Sequence, residues 1–278
     1  MPKGNRRQIA ALSTAAEPAD GSAPVPDSQF VEALARGLRL LQCFRTGDDR
    51  GLSNKDMAAR SGLSAPTVSR LCHTLQKLSY LVYDRDTGRY SMGPAILRLS
   101  YVMLRNIDVR QIARPLLRDF AEKTGITVAI NLRDRLRMVI LEGVSGTSPV
   151  ALRLDVGARV PLHVTAAGRA YLAGLMLAEA SDELNQIRQD DTVAWRKNLA
   201  AIERARREIV ARGFCIEQGA WQSDIHGVAA PLNLRSAGGQ YSLSCGGHAQ
   251  EMPVKRMERE LGPMLLKVAD DIAARLPH

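Results

Sequence analysis

The chain has 278 residues, 45% hydrophobic and 24% charged, and its 38 Lys and Arg against 29 Asp and Glu give a net charge of +9, a globular and basic mixture. No apolar run approaches the roughly 18 residues of a membrane span, and the basic start Met1–Arg7 leads into no apolar segment of the secretory kind. Four separated cysteines (Cys43, Cys72, Cys215, Cys245) form no CxxC pair, so a zinc ribbon and a disulfide framework are excluded and a cytoplasmic protein of two domains is expected.

Residues 1–28, rich in Ala, Ser, Pro and Asp and without a sustained period, read as a disordered basic arm. Phe30, Leu34, Leu38, Leu41 and Phe44 then recur at three- and four-residue spacing, which predicts a helix with that stripe as its apolar face. The Gly47–Gly51 stretch ends it as a turn. Ser53 is placed to cap a short helix over Asn54–Arg60, with Asp56 in the first turn where the helix dipole favours an anion. A tight break over Ser61–Ser64 precedes a second helix, Ala65 to Leu78. Tyr80–Tyr83 and Tyr90–Met92 flank a Gly-containing turn and read as a hairpin. Helix, helix, turn, helix, hairpin is the element order of a winged helix-turn-helix, assigned to residues 29–93. A linker over residues 94–107, helical from Ala95 to Arg105, leads into a longer helix over Asp108–Lys123.

Beyond Gly125 the texture changes. Strands are expected over Ile126–Leu132, Met138–Val144, Val150–Leu154 and Arg159–Val164, then a helix from near Thr165 and two more within Glu179–Arg212. Phe214–Glu217, Gly227–Leu234 and Gln240–Ser244 read as strands, and Pro253–Leu276 as a closing amphipathic helix. Strands clustered with flanking helices make residues 108–278 an α+β domain. The chain contains no internal repeat.

The positive charge is concentrated at one end. Residues 1–106 carry 15 Lys and Arg against 9 Asp and Glu, and so hold +6 of the +9. From Met57 to Tyr83 there are Arg60, Arg70 and Lys77 and no carboxylate, the footprint of phosphate-backbone binding. At about 100° per residue, the Ala65–Leu78 helix puts Val68, Leu71, Cys72 and Leu75 on one face, with Leu78 at its margin. Arg70, His73 and Lys77 lie opposite, flanked by Thr67 and Thr74, and Ser64 can cap the helix. In a major groove Arg can pair bidentately with guanine, Thr can hydrogen-bond or meet a thymine methyl, and Lys77 suits a phosphate. Arg85 and Arg89 flank the hairpin turn, within reach of backbone or minor groove. Ser64, Thr67, Arg70, His73, Thr74, Lys77, Arg85 and Arg89 are therefore the candidate contacts to double-stranded DNA.

These residues resemble the DNA-binding domain of the IclR-type bacterial transcription regulators. The likeness is carried by Leu34–Leu41 (LARGLRLL), Ala58–Leu71 (AARSGLSAPTVSRL) and Gly88–Gly93 (GRYSMG). It continues through Ile112–Leu117 (IARPLL), Val160–Ala170 (VPLHVTAAGRA), Arg212–Phe214 and Gly227–Pro231 (GVAAP). The resemblance runs from about Phe30 to Leu276. It implies a winged helix-turn-helix, a linker helix and a C-terminal effector-binding domain of GAF-like fold, working as a dimer or dimer of dimers on partly palindromic operators. A two-fold protein reads half-sites about one helical turn apart.

Thr165-Ala166-Ala167-Gly168 opens a helix after a strand-like segment, so its free amides can face an anion while the small side chains admit close approach. In the resembled family the equivalent stretch lines the effector cavity. By position the resemblance adds Ser242 and Ser244, which share one face of a strand, and Glu217, Gly227, Leu152 and Leu154. The implied effector is a small carboxylate, of the aromatic kind by likeness to members controlling aromatic-acid breakdown. Two departures from the family pattern stand out: Cys245-Gly-Gly-His248 where many relatives have a simple turn, and Glu217-Gln218 where they have an acidic pair.

No catalytic constellation assembles. Gly143-Val-Ser-Gly146 lacks the GxSxG spacing, and no P-loop, dinucleotide fingerprint or metal-ligand spacing is present. Cys245 and His248 stand three apart, but a thiol and a base act through spatial approach, which spacing does not supply. The expectation is a ligand-responsive transcription regulator without cofactor or metal. The alternative from a different class is a DNA-binding module without ligand, whose C-terminal part serves only to oligomerise.

Overall fold

The computed structural model describes residues 29–45, 47–105, 108–148, 151–178, 180–234 and 239–275; the arm expected over residues 1–28 lies outside them. The chain divides into two compact units, Met1–Met103 and Leu104–His278.

In the first unit, α1 (Glu32–Leu41), α2 (Asn54–Ser61) and α3 (Ala65–Lys77) precede a hairpin, β1 (Leu81–Asp84) and β2 (Arg89–Met92), and α4 (Pro94–Arg105). Ser53 caps α2 by a reciprocal box: its hydroxyl accepts from the Asp56 amide while the Asp56 carboxylate accepts from the Ser53 amide. Gly62 ends α2 at φ +70, a left-handed conformation that costs glycine least. The hairpin pairs Leu81 with Met92 through Asp84 with Arg89. Leu40, Met57, Val68, Cys72 and Leu81 are buried at its centre. One expectation is corrected here. The face of α1 that packs inward is Gly37, Leu40 and Leu41, whereas Phe30, Leu34 and Leu38 are 50–61% exposed. The helix carries two apolar stripes, and only one fits against α3.

In the second unit, α5 (Asp108–Thr124) leads into β3 (Thr127–Asp134), β4 (Arg137–Val144), β5 (Arg159–Pro161), α6 (Ala166–Leu177), α7 (Ser181–Asp190) and α8 (Thr192–Arg212). Then follow β6 (Cys215–Gln218), β7 (Ile225–Leu234), β8 (Gly239–His248), α9 (Val254–Arg256), a π-helical turn (Met257–Leu261) and α10 (Gly262–Arg275). The six strands form an antiparallel sheet in the order β5-β4-β3-β8-β7-β6.

Strand alternation divides the sheet into two chemistries. One face carries Val128, Ile130, Val228, Ala230, Leu232, Leu243 and Cys245 into a core with Leu117, Phe120, Leu261, Leu265 and Ile272. The other face, toward α6, carries small or polar residues: Ala129 and Asn131 on β3, Ser242 and Ser244 on β8, Gly227 and Ala229 on β7. Glu142 of β4 is buried and holds two guanidiniums of α5, Arg110 in a short hydrogen bond and Arg114 at 3.5 Å.

Three further expectations are corrected. The described part of Val150–Leu154 forms no strand; it runs as irregular chain with the Leu152 carbonyl accepting from the Thr127 hydroxyl at 2.6 Å. The strand expected over Gln240–Ser244 does not stop at Ser244 but runs on through Cys245–His248 as part of β8, where Gly246 and Gly247 pair with Gly227 and His226. The closing helix is interrupted by the π-helical turn, and at Gly262 a Cβ would stand 2.2 Å from the Phe214 ring, so the helix meets that ring only through glycine.

Candidate functional site

On α3 the buried residues are Val68, Cys72 and Leu75, with Leu71 half-buried, and the opposite side exposes Arg70, His73, Thr74 and Lys77. Leu78, expected at the apolar margin, is exposed. The Arg70 side chain makes no ion pair or hydrogen bond with the described residues, so its full donor set faces outward. Thr74 donates its hydroxyl to the Arg70 carbonyl at 3.1 Å, which leaves its oxygen to accept. Ser64 occupies the N-cap without capping: its side chain meets the Thr67 hydroxyl at 2.9 Å instead.

Two arginines of the acid-free stretch and hairpin are engaged within the unit. Arg60 holds Asp48 through both terminal nitrogens, at 2.6 and 3.0 Å, and donates to the Cys43 carbonyl. Arg89 donates to the Gly51 carbonyl at 2.8 Å and reaches Asp56 at 3.4 Å, tying β2 to the start of α2. Of the hairpin pair, Arg85 is the exposed cation.

In the second unit a narrow cleft of about 50 Å³, partly open to solvent, lies between the small-residue face of the sheet and the N-terminus of α6. Its lining brings together Leu152, Leu154, Thr165, Ala166, Ala167, Glu217, Gly227 and Ser244, eight of the ten effector-site candidates. Thr165 caps α6: its hydroxyl accepts from the Gly168 amide at 3.2 Å and donates to the Pro161 carbonyl at 2.7 Å. The two earlier amides, at Ala166 and Ala167, belong to residues of the cleft wall, and the helix dipole makes that end favourable for an anion. Burial pushes the Glu217 carboxyl above its ordinary range, opposed by a short hydrogen bond from the Ala220 amide and the charge of Arg169.

Gly168 and Ser242 are not in the cleft wall. Ser242 is wholly buried behind Ser244, with its carbonyl accepting from the Asn131 side chain. Gly168 is a packing glycine: a Cβ there would lie 1.8 Å from the Leu162 carbonyl oxygen, a backbone atom. Gly168→Ala should therefore cost about 3 kcal/mol or more, at the upper end of overpacking effects. Both tryptophans, Trp195 and Trp221, lie in the second unit, so fluorescence-detected urea unfolding reads that unit alone. An unchanged midpoint would dismiss the contact.

Sequence reasoning missed Asn131, Ile140, Val160, Trp221, Ile225 and His226, which also line the cleft. The available signal was Asn131, one amide inside the apolar run Val128–Leu132. Cys245 is buried in the sheet, its thiol pushed up to about 12 by desolvation, so it carries no nucleophilic thiolate toward His248. Among the described residues no group of three His, Cys, Asp or Glu is placed to hold a metal ion, and no helix is long and apolar enough to cross a membrane.

The helix-turn-helix surface and the cleft match known proteins over nearly the whole chain. Residues 33–85 match the IclR helix-turn-helix domain, and residues 101–274 match the C-terminal region of the bacterial transcriptional regulator IclR. The HTH-type transcriptional regulator TsaQ1/TsaQ2 of Comamonas testosteroni is 32% identical over 249 residues, covering 89% of each chain. An IclR family transcriptional regulator from Brucella abortus superposes with a TM-score of 0.72 at 37% identity, over 90% of this chain and 94% of its own. An IclR homologue from Microbacterium hydrocarbonoxydans, solved with 4-hydroxybenzoate, shares the fold with a TM-score of 0.67 at 21% identity, over 87% and 98% of the two chains.

Proposed function

Because this chain belongs to the IclR family of bacterial transcriptional regulators, we propose that it controls a catabolic operon in the cytoplasm by binding a small carboxylate, of the aromatic class, in its C-terminal cleft. The carrying observation is that cleft: an apolar wall, a small-residue floor and the amide-bearing end of α6 meet in one place. The Microbacterium protein, bound to an aromatic acid, supports the ligand class. The exposed face of α3 enters the operator major groove, with Arg70 and the threonines at base edges and Lys77 at phosphate. Palindromic half-sites require a second copy, and the exposed row of Phe30, Leu34 and Leu38 gives such a copy an apolar face to cover.

The regulatory step is a shift between two arrangements of the oligomer. A ligand moves that equilibrium only by preferring one arrangement, and coupling energies of about 1–3 kcal/mol are usual, a 5- to 150-fold change in operator affinity. The acid should also raise the melting temperature, because it binds the folded unit alone. Both effects are read by titrating a panel of aromatic and aliphatic acids against the protein, free and bound to operator DNA selected from random duplexes. A panel that moves neither melting nor operator affinity would favour the ligand-free oligomerising module.

A further inference from the structure

The cleft is too small, as it stands, to take in a ring. It holds about 50 Å³, whereas a cavity that binds benzene alone measures about 150 Å³ and ligand pockets run from roughly 300 Å³ upward. A wall must therefore move, and hydrogen bonding distinguishes the walls. The strands of the floor are tied into one sheet from β5 to β6. The chain carrying Leu152 and Leu154 is tied to that sheet, by the Thr127 hydroxyl to the Leu152 carbonyl at 2.6 Å and by the Gly157 amide to the Ile140 carbonyl at 2.8 Å. The start of α6 is fixed by the Thr165 hydroxyl on the Pro161 carbonyl. The remaining wall is the turn Gly219–Ser223 between β6 and β7, which brings Trp221. Its hydrogen bonds stay within the turn and its own strand ends. The Gly219 amide donates to the Ile225 carbonyl at 3.1 Å, the Ile225 amide to the Gln222 carbonyl at 3.0 Å, and the Ala220 amide to the Glu217 carboxyl. Asp224, the next residue, is anchored again, its carbonyl accepting from the Ala249 amide at 2.8 Å.

We propose that Gly219–Ser223 is a lid on the cleft, held shut in this structure by Trp221, and that an occupant carrying a ring keeps the lid out. This rests on the reading of the cleft as an effector site and adds how that site is entered. Trp221 packs against the core cluster that includes Val160, Leu162 and Ala167, and no described residue hydrogen-bonds its indole. Apolar contact alone therefore closes the lid, and such contact is non-directional, so a ring of the occupant can replace it. The lid pivots between Gly219 and the anchored Asp224. Gly219 has φ +72, in the left-handed region, and an added Cβ would stand 3.0 Å from the Ser223 carbonyl oxygen, so only glycine meets that bend without strain. Shut, the indole covers the cleft; occupied, a ring stands there against Leu154 and Val160. The occupant thus prefers one of two states, which is what shifting between them requires.

The test places a ring in the cleft without any effector. The four native cysteines are buried, so Ser244→Cys in the full chain supplies one reactive thiol on the cleft wall. Benzyl methanethiosulfonate joins a benzylthio group to it as a mixed disulfide and releases methanesulfinate; the methyl reagent adds only a methylthio group. Both should react, giving a single adduct per chain by mass. The benzyl adduct should move tryptophan emission to the red as the indole leaves the core for water, while the methyl adduct leaves it nearly in place. The shift should vanish when Trp221→Phe is added, because the other tryptophan, Trp195, stays buried. Reaction of the methyl reagent alone, failure of both reagents, or a benzyl adduct with unmoved emission overturns the lid. If Ser244→Cys takes up more than one adduct its fold has loosened, and Ala166→Cys, on the α6 wall, decides by the same criteria. No acid takes part, so the two readings fail separately. A panel of acids without effect on melting or operator affinity removes the effector reading and leaves the lid, whereas a static Trp221 removes the lid and leaves the effector reading.

Discussion

Replacing Arg70 by alanine is expected to weaken binding to the selected operator by about 1–3 kcal/mol and to relax the base preference at one position of each half-site. The argument is local. Arg70 stands on the exposed face of α3, opposite Val68 and Cys72, and its guanidinium is engaged by none of the described residues. Its removal therefore takes nothing from the first unit's core, and the melting profile should match the parent's. Arg60, ten residues earlier and in the same acid-free stretch, shows why charge alone does not choose the reader. Both ends of its guanidinium lie on Asp48, whose carboxyl is held below its ordinary range by that hydrogen bond. Fluorescence anisotropy at one fixed salt concentration checks the prediction, since phosphate contacts alone make affinity strongly salt-dependent. Undiminished affinity together with an unaltered base preference would remove Arg70 from the reading face.

Which parts of this arrangement were legible in the sequence follows from how local each cause is. The Ser53 cap, the Gly62 break, the apolar face of α3 and the hairpin around Gly88 are decided within a few residues, and each forms where expected. The two stripes of α1 are equally apolar on paper, and only packing against α3 selects Gly37, Leu40 and Leu41. The alternation of Leu152 and Leu154 imitates a strand, but those side chains alternate because they roof a cleft, and no neighbouring strand pairs with them. Gly246 and Gly247 extend β8 beyond its expected end because their pairing with Gly227 and His226 is set by a distant strand, with Gly246 turned to Leu152 and Gly247 to Met252 and Ile126. Of the cleft itself, the residues on one contiguous turn at Thr165–Ala167 were legible. Asn131 stood out as an amide within an apolar run, but Trp221 and Ile225 arrive from distant elements, and nothing in their immediate sequence announces where the chain will carry them.

Ala167→Phe should abolish the effector response outright while leaving operator affinity close to the parent's. Ala167 is the second residue of α6, is 5% exposed, and lines the cleft between Thr165 and the apolar wall. A benzyl group there fills the space in front of the α6 amides, so a carboxylate loses both its room and its donors. The proposed operator-reading face lies in the other unit, on α3, and none of its side chains changes. Overpacking against Leu162, Tyr171 and Leu172 should cost about 1–3 kcal/mol, so the variant's own melting temperature falls somewhat. The decisive reading is the difference made by the acid: no rise in melting and no change in operator affinity at concentrations that saturate the parent. Retention of both responses would mean the ligand sits away from the N-terminus of α6, because a substituent of that size and a bound carboxylate cannot occupy the same end of this cleft.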